Sequence, residues 1–127
     1  MNAEFVRIRG VTRVFGAGET AVHALRGIDL SIGTGEYVAI KGRSGSGKTT
    51  LLNVIGGLDR PTSGQIVVGD ADVTAMSDDD LLRLRREQVS YVFQSFGLIP
   101  ILTARENVSI PLRLNKVDPQ ERDRRVL

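Results

Sequence analysis

Gly42-Arg43-Ser44-Gly45-Ser46-Gly47-Lys48-Thr49 is the stretch of this 127-residue chain in which residue types and spacing speak most directly of chemistry. It meets the phosphate-binding pattern G-x-x-x-x-G-K-[ST] at every fixed position. Its glycines permit backbone angles and a close approach that turn successive amide hydrogens toward phosphate oxygens, and a helix that follows adds its positive N-terminal end. Lys48 would bring a point charge to the β- and γ-phosphates. Thr49 offers a hydroxyl to Mg²⁺, a hard cation suited to one protein oxygen plus phosphate oxygens and water.

Other candidate groups read more plainly. His23 is the only histidine, and it lies upstream of the loop with no nucleophile or metal-ligand neighbours, so a strand or surface role is expected. Arg83, Arg85 and Arg86 stand one turn from Asp78, Asp79 and Asp80, the pattern of a solvated helix face, and nucleic acid is not expected as a partner. The charge balance agrees, since 17 basic against 15 acidic residues leave a net charge of only +2. Cysteine is absent, which removes disulfides, thiolate metal sites and cysteine nucleophiles together. A hydrophobic share of 41% with 25% charged residues argues for a folded domain and against disorder or a membrane span. The first ten residues interleave Glu4, Arg7 and Arg9 with apolar ones, which is not a secretory signal.

The elements that must position the loop follow from periodicity. Phe5 to Phe15 and Val22 to Ile32 alternate imperfectly, which predicts two antiparallel strands broken at Gly16-Ala17-Gly18. Tyr37-Val38-Ala39-Ile40, leading straight into the glycines, reads as a buried parallel strand. Leu51, Leu52, Val54 and Ile55 suit a helix from Lys48 that stops at Gly56-Gly57, and Gln65 to Val68 reads as a further strand after the turn Pro61-Thr62-Ser63-Gly64. Ser77 with Asp80, and Thr103 with Glu106, have the form of capping boxes; the second helix is expected to kink or end near Pro111. Val89 to Phe93 reads as a second apolar strand ending in Gln94, and Asp118, Pro119 and Glu121 open a last helix still running at Leu127. The expected class is α/β.

With these blocks in place the chain resembles the nucleotide-binding domain of ABC transporters from Phe5 to about Leu114. Beside the phosphate loop, the resemblance is carried by Leu30-Ser31-Ile32 with Gly35-Glu36, by Gly57-Leu58-Asp59-Arg60-Pro61-Thr62-Ser63-Gly64, by Val92-Phe93-Gln94, and by Leu98-Ile99-Pro100 with Thr103 to Val108. Within the family it looks most like the ATPases of lipoprotein release and macrolide export. The resemblance implies a phosphate-loop NTPase core of the RecA-like kind, incomplete here, with an N-terminal antiparallel β subdomain. It divides the chain into a β subdomain with the loop over 1–75, and the Q-loop with the start of a helical subdomain over 76–127.

The same resemblance implies ATP and Mg²⁺ as ligands, held by Gly42, Arg43, Ser44, Gly45, Ser46, Gly47, Lys48, Thr49 and Thr50. It makes Gln94 the Q-loop glutamine that touches Mg²⁺ and the attacking water, so that Lys48 and Gln94 are the catalytic candidates and Thr49 and Gln94 the metal ligands. A strand-end glutamine capping backbone is the alternative reading of Gln94. Phe15 resembles the aromatic that stacks on adenine, with a core phenylalanine as its alternative. A permease subunit and a second nucleotide-binding subunit are the implied partners, at the cytoplasmic face of the membrane. The family's signature motif, its Asp-Glu strand end and its switch histidine do not occur after Gln94. A truncated ATPase is therefore expected, or a nucleotide-binding module without turnover; a phosphate-loop kinase or GTPase fits the blocks around Gly64 and Gln94 less well.

Overall fold

The structure, a computed structural model, describes residues 3–126. Strand β1 (Glu4–Phe15) turns through a short 3₁₀ segment at Gly18–Thr20 into β2 (Val22–Gly33), and the two pair antiparallel from Glu4 opposite Gly33 to Phe15 opposite Val22. The expected early antiparallel arm is therefore present. Strand β3 (Ser63–Val68) pairs antiparallel with the other side of β1, and the two-residue β4 (Ala71–Asp72) closes the edge, giving the order β2-β1-β3-β4.

Helix α1 (Lys48–Ile55) starts where the glycine loop ends and lies against β2 and β3. Its apolar side buries Leu51 and Val54, which join Val6, Ile8 and Val11 of β1, Leu25 of β2 and Ile66 and Val68 of β3 in the core. Gly56 caps the helix, and Gly57 at φ +69° turns the chain away. The turn at Pro61–Gly64 is seated by close approach: at Gly64, with φ +91°, a Cβ would lie 2.5 Å from the Gly10 carbonyl oxygen. Only glycine fits there.

The three remaining helices are α2 (Asp78–Glu87), α3 (Ala104–Leu114) and α4 (Pro119–Val126). At the start of α2 Ser77 Oγ accepts from Asp80 N–H, as expected of a cap, and donates to the Asp80 carboxylate, while Thr103 and Glu106 form a full capping box on α3. Asp118 accepts from the Gln120 and Glu121 amides, and Pro119 takes the first helical position. The expectation of a helix open at Leu127 falls on a residue outside those described.

Two expectations need correction. Tyr37–Ile40 is not a strand: the segment is irregular, with Tyr37 fully exposed and Val38 half exposed. Val89–Phe93 is likewise irregular, and Val92 is fully exposed. A parallel strand draws all its backbone hydrogen bonds from neighbouring strands, and among the described residues no strand runs beside either segment. Helix α3 does end near Pro111, as expected: the proline lies on the exposed side, where water can serve the Asn107 carbonyl, and the helix closes at Leu114 with Asn115 N–H donating to Pro111 O at 3.0 Å.

The chain forms two compact units, Met1–Leu81 and Leu82–Leu127. The first holds the sheet, the phosphate loop and α1; the second holds the end of α2, the Gln94 segment, α3 and α4. Helices α3 and α4 pack on each other.

Candidate functional site

The glycine loop of the first unit is shaped by two close approaches. Gly47, the N-cap of α1, has φ +92°, and a Cβ there would strike the Ala24 carbonyl oxygen of β2. A Cβ on Gly42 would lie 2.6 Å from Ser46 Oγ. The loop thus closes on itself across Gly42 and Ser46 and rests on the sheet at Gly47. Gly45, at φ +78°, and the bond from Ser46 N–H to Arg43 O at 3.1 Å complete the turn.

Lys48 points into this ring. Its ammonium donates to Gly42 O at 2.9 Å, Arg43 O at 2.7 Å and Ser46 Oγ at 3.3 Å, which accounts for its three protons. These acceptors are neutral, so a phosphate oxygen brought to the same place would compete on better terms. No side chain caps α1, and its first intrahelical bond runs from Leu51 N–H to Gly47 O at 2.8 Å. The amides of Lys48, Thr49 and Thr50 are therefore free of intrahelical acceptors, at the positive end of the helix. Gly42 through Ser46 and Thr49 are exposed, and the other loop residues half-buried. The arrangement is an open cradle of amides around one cation, chemically a receptor for a polyphosphate.

Phe15 belongs to the same unit and ends β1, 41% exposed, so it is not a core phenylalanine. The Arg13 guanidinium lies 4.3 Å over its ring centroid, and Arg13 also pairs with Asp59 through two bonds, Nε to Oδ2 at 2.7 Å and Nη2 to Oδ1 at 3.0 Å. Neither Arg13 nor its pairing with Asp59 is legible from spacing, since 46 residues separate the two.

Gln94 belongs to the second unit. It is exposed, and among the described residues it caps no backbone group. The turn after it is unusual: Phe96 holds φ +58°, a costly angle for a bulky side chain, and a Cβ on Gly97 would lie 2.8 Å from the Phe93 ring. The loop beyond is organised by Asn107, whose side chain accepts from Ile99 N–H and donates to the carbonyls of Ile99, Leu102 and Thr103. The spacing of Asn107 gives no signal of this role, because its four partners are backbone groups that only the folded loop brings to it. His23 sits exposed on β2 opposite Val14.

The family model for ABC transporters matches residues 25–127. This chain belongs to the ABC transporter family.

Among its family relatives, the macrolide export ATP-binding/permease protein MacB of Marinobacter nauticus is 51% identical over 120 residues, 94% of this chain and 19% of that protein. The pyoverdine export ATP-binding/permease protein PvdT of Pseudomonas syringae is 50% identical over 112 residues, 87% of this chain and 17% of that protein. The uncharacterized ABC transporter ATP-binding protein MJ0796 of Methanocaldococcus jannaschii is 45% identical over 107 residues, 84% of this chain and 46% of that protein. The ATP-binding cassette MJ0796, solved as a dimer in a post-hydrolysis state bound to ADP and Pi, superposes with a TM-score of 0.89 at 42% identity, covering 95% of this chain and 53% of that one. The ABC-type α/β fold with its N-terminal antiparallel sheet is thereby established, as is the expected kinship with macrolide-export ATPases. The chain spans about half the length of the cassette and under a fifth of the export proteins.

Proposed function

We propose that this ABC-family chain binds Mg-ATP through the loop Gly42–Thr50 and forms the nucleotide-binding part of an export ATPase. The observation that supports it most is the Lys48 ammonium held at the centre of the glycine loop by carbonyls that a polyphosphate can replace. The β- and γ-phosphates would take the Lys48 protons and the amides of the first turn of α1, while Phe15 stacks on the base.

The donor set suits Mg²⁺. Among the described residues no cluster of three carboxylates, histidines or cysteines stands ready to cage a metal, and Thr49 offers a single exposed hydroxyl beside the cradle, which is what a cation shared with phosphates and water requires. When bound, Mg²⁺ would neutralise charge on the phosphates. Thr49 would hold it from the loop, and Gln94 is the residue proposed for the metal and the attacking water in the complete ATPase.

Hydrolysis and export belong in this reading to the whole protein, with a permease and a second nucleotide-binding subunit as partners. Its relatives named for macrolide and pyoverdine export carry a permease in the same protein. Among the described residues no helix is long and apolar enough to cross a membrane, and we place this part at the cytoplasmic face, held there by the permease.

Titration with Mg-ATP tests the assignment. Lys48→Ala is expected to weaken binding by about 100-fold or more, because it removes the one cation at the centre of the loop, while far-ultraviolet circular dichroism stays the same. Unchanged affinity would end the phosphate-loop reading. Gln94→Ala should leave affinity within about twofold and lower turnover of the complete ATPase, since its contacts form only around the reacting phosphate.

A further inference from the structure

The end of β1 that carries Phe15 is tied to the far end of the phosphate-loop helix. Asn53, in the last turn of α1, accepts at its carbonyl from Leu58 N–H at 2.8 Å and Asp59 N–H at 3.3 Å. The Asp59 carboxylate then receives the Arg13 guanidinium side-on, with a further bond from Arg60 N–H to Oδ1 at 2.8 Å. The central carbon of that guanidinium lies over the Phe15 ring, 4.3 Å from its centroid. The following turn is latched to the same strand: Thr62 N–H donates to Thr12 O, Val14 N–H donates to Thr62 Oγ1, and the Thr12 and Ser63 hydroxyls meet at 2.7 Å.

We propose that Arg13 is a positioning residue for the nucleotide base: clamped by Asp59, its guanidinium braces one face of Phe15 so that the opposite face is presented to the base at a fixed place relative to the phosphate cradle. This rests on the reading of Phe15 as the base-stacking ring. A phenylalanine at a strand end can rotate among rotamers, and each rotamer other than the stacking one lowers the fraction of molecules ready to bind. A planar cation over the ring favours one of them, provided the cation itself is fixed. Asp59 fixes it. The two-point geometry defines the guanidinium plane, and the pair is about three-quarters buried, with side-chain exposures of 24% and 28%, so water and salt screen it less than a surface bridge.

A salt bridge that merely stabilised the turn would affect all ligands alike, whereas a brace for the base should matter only when the ligand has one. The test compares dissociation constants of the full-length protein for Mg-ATP and for Mg-tripolyphosphate, which has no base. Phe15→Ala should weaken Mg-ATP about tenfold, and Arg13→Met and Asp59→Asn each about three- to tenfold, with tripolyphosphate changed by less than about twofold in all three. Arg13→Lys, which keeps the charge but not the plane, should recover only part of the loss. In a Phe15→Ala background, Arg13→Met should add nothing.

The outcomes separate the two layers. If Phe15→Ala leaves Mg-ATP affinity unchanged, the base-stacking reading falls and the brace with it. If Phe15→Ala weakens Mg-ATP while Arg13→Met and Asp59→Asn do not, the brace alone is overturned. Equal losses for both ligands would reduce the pair to a structural bridge. Should Arg13→Met fail to fold, Asp59→Asn and Arg13→Lys carry the same comparison.

Discussion

The two units of this chain are held in different ways. The first buries Val6, Ile8, Val11, Leu25, Leu51, Val54, Ile66, Val68 and Val73 between a sheet and a helix. In the second, Leu84 is the one fully buried apolar residue among those described, α3 and α4 bury none, and Phe93, Phe96, Leu98, Ile101 and Val108 are exposed. What organises the second unit is local: a capping box, the Asn107 bonds, the Asp118 cap, and Glu121 paired with Arg124 and Arg125. Burial gives the first unit a frame rigid enough to hold a preformed cradle. Caps and exposed ion pairs each contribute little in water, so the helical unit is expected to open at lower free energy.

The comparison is broken most directly by cavity mutations. Ile66→Ala, at a fully buried site, should cost about 2–5 kcal/mol in urea unfolding, whereas Val108→Ala, at an exposed one, should stay within about 0.5 kcal/mol. Equal losses would mean that the second unit has a core of its own. Next in size comes Gly64→Ala, where the new Cβ meets Gly10 and Val11 at a positive φ; a loss of about 2 kcal/mol is expected by the same measurement, with nucleotide affinity following stability.

Smaller effects should sharpen the contrast. Thr103→Ala removes the capping box and should cost about 1 kcal/mol, visible as faster amide exchange over the first turn of α3 with β1 unchanged. Acid should act in the same direction. The Thr103 amide and then the Thr103 hydroxyl hold Glu106 below the ordinary carboxylate range, and Arg124 and Arg125 do the same for Glu121. A carboxyl depressed in the folded state stabilises fully above its unfolded value and loses that contribution as pH falls through the folded one. Protection factors in α3 and α4, corrected for the intrinsic pH dependence of exchange, should therefore fall below about pH 5, and salt should blunt the Glu121 part. Asp72 in the first unit is also held low, by Thr74 and then Gln65, but the buried sheet beside it should keep β3 protected at the same pH.

Much of the site was legible because it is local. The phosphate loop, the start of α1 at Lys48, the stop at Gly56-Gly57 and the caps at Ser77, Thr103 and Asp118 each depend on residues within eight consecutive positions, where backbone angle and hydrogen-bond reach are set by residue type. Tyr37–Ile40 and Val89–Phe93 depart from the strands their composition suggests for the opposite reason. Apolar composition marks a segment as fit for a parallel ladder, but the ladder needs a neighbour, which only the tertiary structure can supply or withhold.

The sequence by itself determined what chemistry the loop presents, because an amide cradle with one lysine is a property of eight consecutive residues. Tertiary structure alone decided what that cradle rests on and what stands beside Phe15: Gly47 against Ala24, and Arg13 set between Asp59 and Phe15. Those partners come together only when burial folds the sheet and helix over each other, and a salt bridge spanning 46 positions leaves no periodic trace in the chain.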